Sequence, residues 1–171
     1  MSAPVLIALG SNLGNSLAIL DDAIDELSVV IDQLECSDCY CSKPKYVENQ
    51  PDFYNMVVRG NTLLSPLELL SHLKAIEDKL GRVPSFKNGP RALDLDIILF
   101  DQQMIKLPAL ELPHPKFQER GFVLMPAVQI AADWLCPRNQ KRLDHLFETL
   151  PKAECEQLYR IDRLALLQNN G

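Results

Sequence analysis

The apolar positions of this chain change period several times, and each change marks an element. Val5-Leu6-Ile7-Ala8-Leu9 is a continuous apolar run between Pro4 and Gly10-Ser11-Asn12, which predicts a strand over Pro4 to Leu9. From Ser16 to Ile31 the apolar residues Leu17, Leu20, Ile24, Leu27 and Ile31 step by three and four, the spacing of one helix face. Leu34 to Cys41 reads as a second strand, Ser42 to Pro51 as a polar loop, and Phe53 to Gly60 as a third strand. Ser65-Pro66-Leu67-Glu68 then carries an N-cap serine, a first-turn proline and a capping-box glutamate. The helix it opens buries Leu69, Leu73, Ile76 and Leu80 and stops at Gly81. After a loop from Arg82 to Pro90, Asp94 to Phe100 reads as a mostly apolar strand.

The order is strand, helix, strand, strand, helix, strand. That predicts an α+β fold with a ferredoxin-like βαββαβ core, an antiparallel sheet and two helices on one face. Beyond Phe100 the pattern predicts a hairpin through Asp101-Gln102-Gln103 to Met104-Ile105-Lys106, then extended chain from Pro108 to Pro115. Helices follow over about Phe122 to Ala132, Leu143 to Leu150 and Cys155 to Gln168. No repeat or linker divides the sequence, so one domain over residues 1–171 is expected.

The net charge of −6 argues against nucleic acid as the main partner, because no basic excess faces a phosphate backbone. No apolar run has the length of a membrane span, and the N-terminus has no basic region followed by a long apolar segment. The expectation is a cytoplasmic protein with no membrane partner. Of the five cysteines, Cys36 and Cys39 have Cys-x-x-Cys spacing. No second pair follows at ligand spacing, and Cys39 and Cys41 share a strand face where cysteine packs as a small hydrophobe.

Candidate chemistry concentrates around Asp94 and Asp96. Two apart on a strand, they point to the same side with Cα atoms about 6.6 Å apart. A solvent-facing strand edge would explain them. So would two divalent ions about 3.5–4 Å apart, bridged by phosphate oxygens. Oxygen-only ligands favour Mg²⁺ over zinc. Arg82, Lys87 and Arg91 lie close in sequence, a setting suited to polyphosphate. The Walker-type phosphate loop is absent, and Gly10-Ser11-Asn12-Leu13-Gly14 lacks the third glycine of a dinucleotide fingerprint.

Gly89-Pro90-Arg91-x-x-Asp94-Leu95-Asp96-Ile97-Ile98 resembles the signature of the 6-hydroxymethyl-7,8-dihydropterin pyrophosphokinase family. Four further segments match in order: Gly10 to Gly14, Gln50 to Asn55, Glu77 to Arg82, and Pro113-His114-Pro115 with Arg120 to Pro126. The resemblance implies transfer of pyrophosphate from MgATP to the hydroxymethyl group of 6-hydroxymethyl-7,8-dihydropterin, with release of AMP, in folate biosynthesis. By the same resemblance, Asp94 and Asp96 hold two Mg²⁺ ions, and Arg82 and Arg91 act on the triphosphate. Lys74, Glu77, Ile97, His114 and Arg120 complete an ATP site. Phe53 and Phe122 sandwich the pterin, Asn55 reads its edge, and Ser42 and the backbone near Lys45 close the pocket. The chain departs from the family where Tyr46 replaces a usual glycine, in residues 83–88, and in the tail after about Pro151. Small-molecule substrates and a monomer are expected. A non-catalytic nucleotide- or pterin-binding module of the same fold is the alternative.

Overall fold

The computed structural model describes residues 1–42, 51–81 and 92–161. In chain order the elements are β1 (Ala3–Ser11), α1 (Ser16–Leu27), β2 (Asp32–Cys36), β3 (Cys39–Ser42), β4 (Phe53–Thr62), α2 (Pro66–Lys79) and β5 (Asp94–Phe100). Then come β6 (Ile105–Lys106), β7 (Glu111–Leu112), α3 (Gly121–Ala131), β8 (Leu135–Cys136), β9 (Lys141–Arg142), α4 (Leu143–Glu148) and β10 (Tyr159–Ile161). Among the described residues, one sheet runs β10-β3-β4-β1-β5, with β2 also paired to β4, and every pairing is antiparallel.

The sheet is apolar on both faces, because helices cover both. Val5, Ile7 and Leu9 of β1, Met56 and Val58 of β4, and Leu95 and Ile97 of β5 pack with Leu20, Leu27, Leu69, Leu73 and Ile76 of α1 and α2. The intervening residues Leu6, Val57 and Ile98 face the other way, against Val123, Leu124 and Ala127 of α3 and Leu143 and Leu146 of α4. The period of two thus sorts each central strand between two cores.

The second helix forms as its sequence predicts. Ser65 Oγ accepts from Glu68 N at 3.2 Å, and Glu68 Oε1 accepts from Ser65 N at 3.0 Å. Gly81 follows the helix end with φ +94°, which only glycine adopts without strain. The first helix is shorter than its pattern, ending at Leu27, and Ile31 still reaches the core from the turn beyond.

Three expectations are corrected. The predicted strand from Leu34 to Cys41 is two strands, because the chain breaks at Ser37 and Asp38. Ser37 Oγ accepts from Val57 N at 2.9 Å, so a side chain replaces a ladder carbonyl at the break. The hairpin after β5 does not form with residues 104–106. Asp101, at φ +52°, instead donates its N–H to Pro4 O at 2.7 Å, and β6 pairs with β7. The final predicted helix is absent over the described part of the tail, where β10 extends the sheet on β3 and Arg160 forms an ion pair with Asp38.

Candidate active site

The α3 face of the sheet collects most of the candidate residues. The register aligns Asp94 of β5, Gly10 of β1, Asn55 of β4 and Tyr40 of β3 in one row across four strands. The next rows align Asp96 with Ala8 and Val57, and Ser42 with Phe53. Residues in such rows point to one face, so Asp94 and Asn55 stand two strands apart, about 10 Å. A Cβ on Gly10 would lie 2.9 Å from Asn55 Oδ1, so a larger residue there would displace the Asn55 amide. The small Ala8 and Gly10 also leave space beside the two carboxylates.

Asp94 and Asp96 share this face and are half-buried. Their donor set is oxygen only, with solvent access and small neighbours, which fits Mg²⁺. Behind them, Glu77 of α2 is 3% exposed, and its Oε2 accepts the N–H of Leu95 at 2.9 Å. Leu95 is the residue between the two aspartates. Glu77 therefore fastens the edge strand at the aspartate pair, although its i, i+3 spacing from Lys74 on α2 would equally suit an exposed ion pair.

His114 is brought to the same strand by a β-bulge. Leu6 pairs with Leu99 and Ile7 with Ile97, so Ile98 is the extra residue. Its carbonyl accepts the N–H of His114 at 3.0 Å. The ring is oriented by its own turn, with Nδ1 accepting from Lys116 N at 3.1 Å. Burial lowers the His114 pKa to about 4, with Arg120, Arg138 and Lys116 pushing the same way and Asp94 opposing. The ring is therefore neutral near pH 7, with its proton on Nε2.

At the other end of the row, Asn55 is buried and donates Nδ2–H to Ser42 Oγ at 3.4 Å. Phe53 is half-buried beside it. Phe122 opens α3, and the Arg120 guanidinium lies 5.6 Å from its ring centroid. Phe122 packs against the α3 core, and the Arg120 charge lies near enough to His114 to lower its pKa.

Two candidates lie elsewhere. Ile97 is 4% exposed in the α1–α2 core, and Lys74 is exposed on α2, which covers the opposite face from α3. Lys45, Arg82 and Arg91 fall outside the described residues. The structure adds Gly10, whose role needs the neighbouring strands, and Arg138, whose sequence surroundings carry no signal. Gly10 to Asn15 forms a turn and cap: Gly14 has φ +77°, Asn15 Oδ1 accepts from Ala18 N, and Asn12 donates to Pro51 O at 3.2 Å. Cys39 packs in the core at 1% exposure. No helix among the described residues is long and apolar enough to cross a membrane.

Residues 6–132 match the family model for 7,8-dihydro-6-hydroxymethylpterin-pyrophosphokinase. The 2-amino-4-hydroxy-6-hydroxymethyldihydropteridine pyrophosphokinase of Synechocystis is 43% identical over 91% of this chain and 79% of its own length. That of Pseudomonas aeruginosa is 39% identical over 92% and 96%. The chain spans only 20% of a third relative, the folic acid synthesis protein of Pneumocystis carinii, which is 42% identical over 85% of this chain. Plasmodium falciparum HPPK-DHPS superposes with TM-score 0.74 over 94% of this chain and 47% of that one, at 15% identity, so the likeness there is one of fold. The family match spans most of the chain and every motif on the α3 face, and the chain belongs to the 7,8-dihydro-6-hydroxymethylpterin-pyrophosphokinase family.

Proposed function

We propose that the chain transfers pyrophosphate from MgATP to 6-hydroxymethyl-7,8-dihydropterin and releases AMP, an ATP-dependent step of folate biosynthesis. The observation that carries this reading is the row Asp94–Gly10–Asn55. It sets paired carboxylates about 10 Å from a buried amide on one continuous face, a spacing suited to a nucleotide polyphosphate meeting a flat heterocycle.

In this reading Asp94 and Asp96 hold Mg²⁺, two ions in all, and the metal neutralises phosphate oxygens when bound. Glu77 keeps the aspartate strand in place through Leu95. His114 donates its Nε2–H, and Arg120 adds a fixed cation from the start of α3. Asn55 and Ser42 read the pterin edge, while Phe53 and Phe122 supply stacking faces. Ile97 and Lys74 belong to the nucleotide site only through backbone and rim contacts in this reading. Arg82 and Arg91 act on the transferring group, and the backbone near Lys45 closes the pterin pocket. The hydroxymethyl oxygen attacks the β-phosphorus, the bond to the α-phosphate oxygen breaks, and AMP leaves with that oxygen.

The strand order β3-β4-β1-β5, with α1 and α2 on one face, supports a ferredoxin-like core extended by the β6–β7 and β8–β9 hairpins, and a single domain over residues 1–171. Five free cysteines support a reducing, cytoplasmic setting, and a monomer suffices for the site. The test is AMP release from ATP, Mg²⁺ and the reduced pterin. AMP formed only when all three are present supports the reading. Pterin and ATP binding without AMP would favour a non-catalytic module.

A further inference from the structure

Arg138 lies outside every motif discussed above and beyond the residues matched by the family model. It stands in the turn between β8 and β9, which carry Leu135–Cys136 and Lys141–Arg142. From there it reaches back to the segment after β7. Its Nη2 donates to the carbonyl oxygens of Pro113 at 3.0 Å and His114 at 3.2 Å. One guanidinium nitrogen carries two hydrogens in a fixed plane, so it can serve two successive carbonyls together.

The contacts on His114 then divide by element. The amide is held by Ile98 of β5 at 3.0 Å, the ring by Lys116 N at 3.1 Å, and the carbonyl by Arg138 at 3.2 Å. Arg138 thus holds the carbonyl side of this segment ahead of the short turn at Phe117–Glu119. The guanidinium is exposed, so its cost of desolvation is small.

We infer that Arg138 is a positioning residue for nucleotide binding: it fixes the Pro113–His114 backbone so that His114 faces the nucleotide phosphates. This rests on the proposed ATP site. A structural brace with no role at the site would affect melting temperature alone. A simple phosphate-attracting charge would act whether or not His114 is present. A positioning residue acts only through His114, and the effects of the two residues are then non-additive.

The experiment is a double-mutant cycle on the full chain, reading calorimetric affinity for a non-hydrolysable ATP analogue with Mg²⁺. Arg138→Met should weaken binding about 5–15-fold, as for loss of charged hydrogen bonds at an exposed site. The KM for pterin should stay within about two-fold. In a His114→Ala background, Arg138→Met should cost less than about two-fold more. Arg138→Lys keeps the charge with a single point donor and should recover only part of the affinity, which also covers a Met variant that fails to fold. Full recovery by Lys, equal losses with and without His114, or unchanged affinity in Arg138→Met would each overturn the inference. If the wild-type protein does not bind the analogue, the ATP site itself is wrong. Wild-type binding with no effect of Arg138 removes only this residue.

Discussion

Glu77 Oε2 lies 2.9 Å from the amide nitrogen of Leu95, joining a buried helix carboxylate to the one residue that separates Asp94 from Asp96. β5 is an edge strand, and an edge N–H buried under a helix needs an acceptor. Glu77→Leu leaves that amide unsatisfied and should lower stability by about 1–3 kcal/mol in urea denaturation. Glu77→Gln keeps an acceptor and should lose less. Turnover of the Leu variant should fall about 10–100-fold, since small displacements of reacting groups are costly. Full activity in Glu77→Leu would mean that the aspartates do not depend on this contact.

Asp96→Ala removes one of two carboxylates proposed to hold metal. Pyrophosphate transfer should fall about 10²–10⁴-fold, a loss of roughly 3–5 kcal/mol of transition-state stabilisation. The fold should persist, because removing one of two like charges on a shared face relieves repulsion. The melting temperature without Mg²⁺ is expected to stay level or rise. Near-normal transfer at limiting Mg²⁺ would exclude the assignment.

Phe122→Ala removes an aromatic face beside Arg120. Pterin affinity should drop by about 1–3 kcal/mol, the worth of a stacking platform, while ATP affinity changes little. Equal losses for both ligands in a titration would point to a displaced α3 instead.

Gly10→Ala places a methyl group 2.9 Å from Asn55 Oδ1, and the amide must move. The Asn55–Ser42 hydrogen bond is then disturbed, so the pterin KM should rise about 5–10-fold, equivalent to about one lost hydrogen bond. Val57 and Leu9 flank the site from a rigid core, so backbone relaxation is limited. An unchanged pterin KM would remove Asn55 from the recognition of substrate.

His114 titrates at about 4 in the folded protein against an ordinary value of 6.5. Between those values the unfolded chain binds more protons at this position, so stability rises with pH. The contribution is complete above pH 6.5 and is lost as pH falls towards 4. His114→Gln should therefore flatten the acid side of the stability profile. The change in slope stays below the one-proton value of about 1.4 kcal/mol per pH unit, because the two states differ by less than one bound proton at this ring at any pH. A titration of the His114 ring by NMR with a midpoint near 6.5 would contradict this.

Local rules account for much of what is seen. The capping box at Ser65 and Glu68, the apolar stripe of α2 and the glycine stop at Gly81 are short-range chemistry, and they form as their residues require. The shared face of Asp94 and Asp96 follows from strand geometry alone. The family resemblance supplied the pairing of distant motifs, which spacing cannot do. Tertiary structure decided what depends on partners remote in sequence. The row from Asp94 through Gly10 to Asn55 exists because three separate strands adopt one register, and that register reflects two cores packed at once. The break at Ser37 is set by Val57, and the tail becomes a strand because β3 offers it an unpaired edge. Glu77 turns from a surface position into a buried anchor only once α2 lies against β5, and His114 is held at the aspartate strand by the carbonyl that a bulge at Ile98 leaves available. Periodicity fixes which face a side chain takes; the long-range hydrogen bonds and close approaches that give it a task arise only when the sheet is assembled.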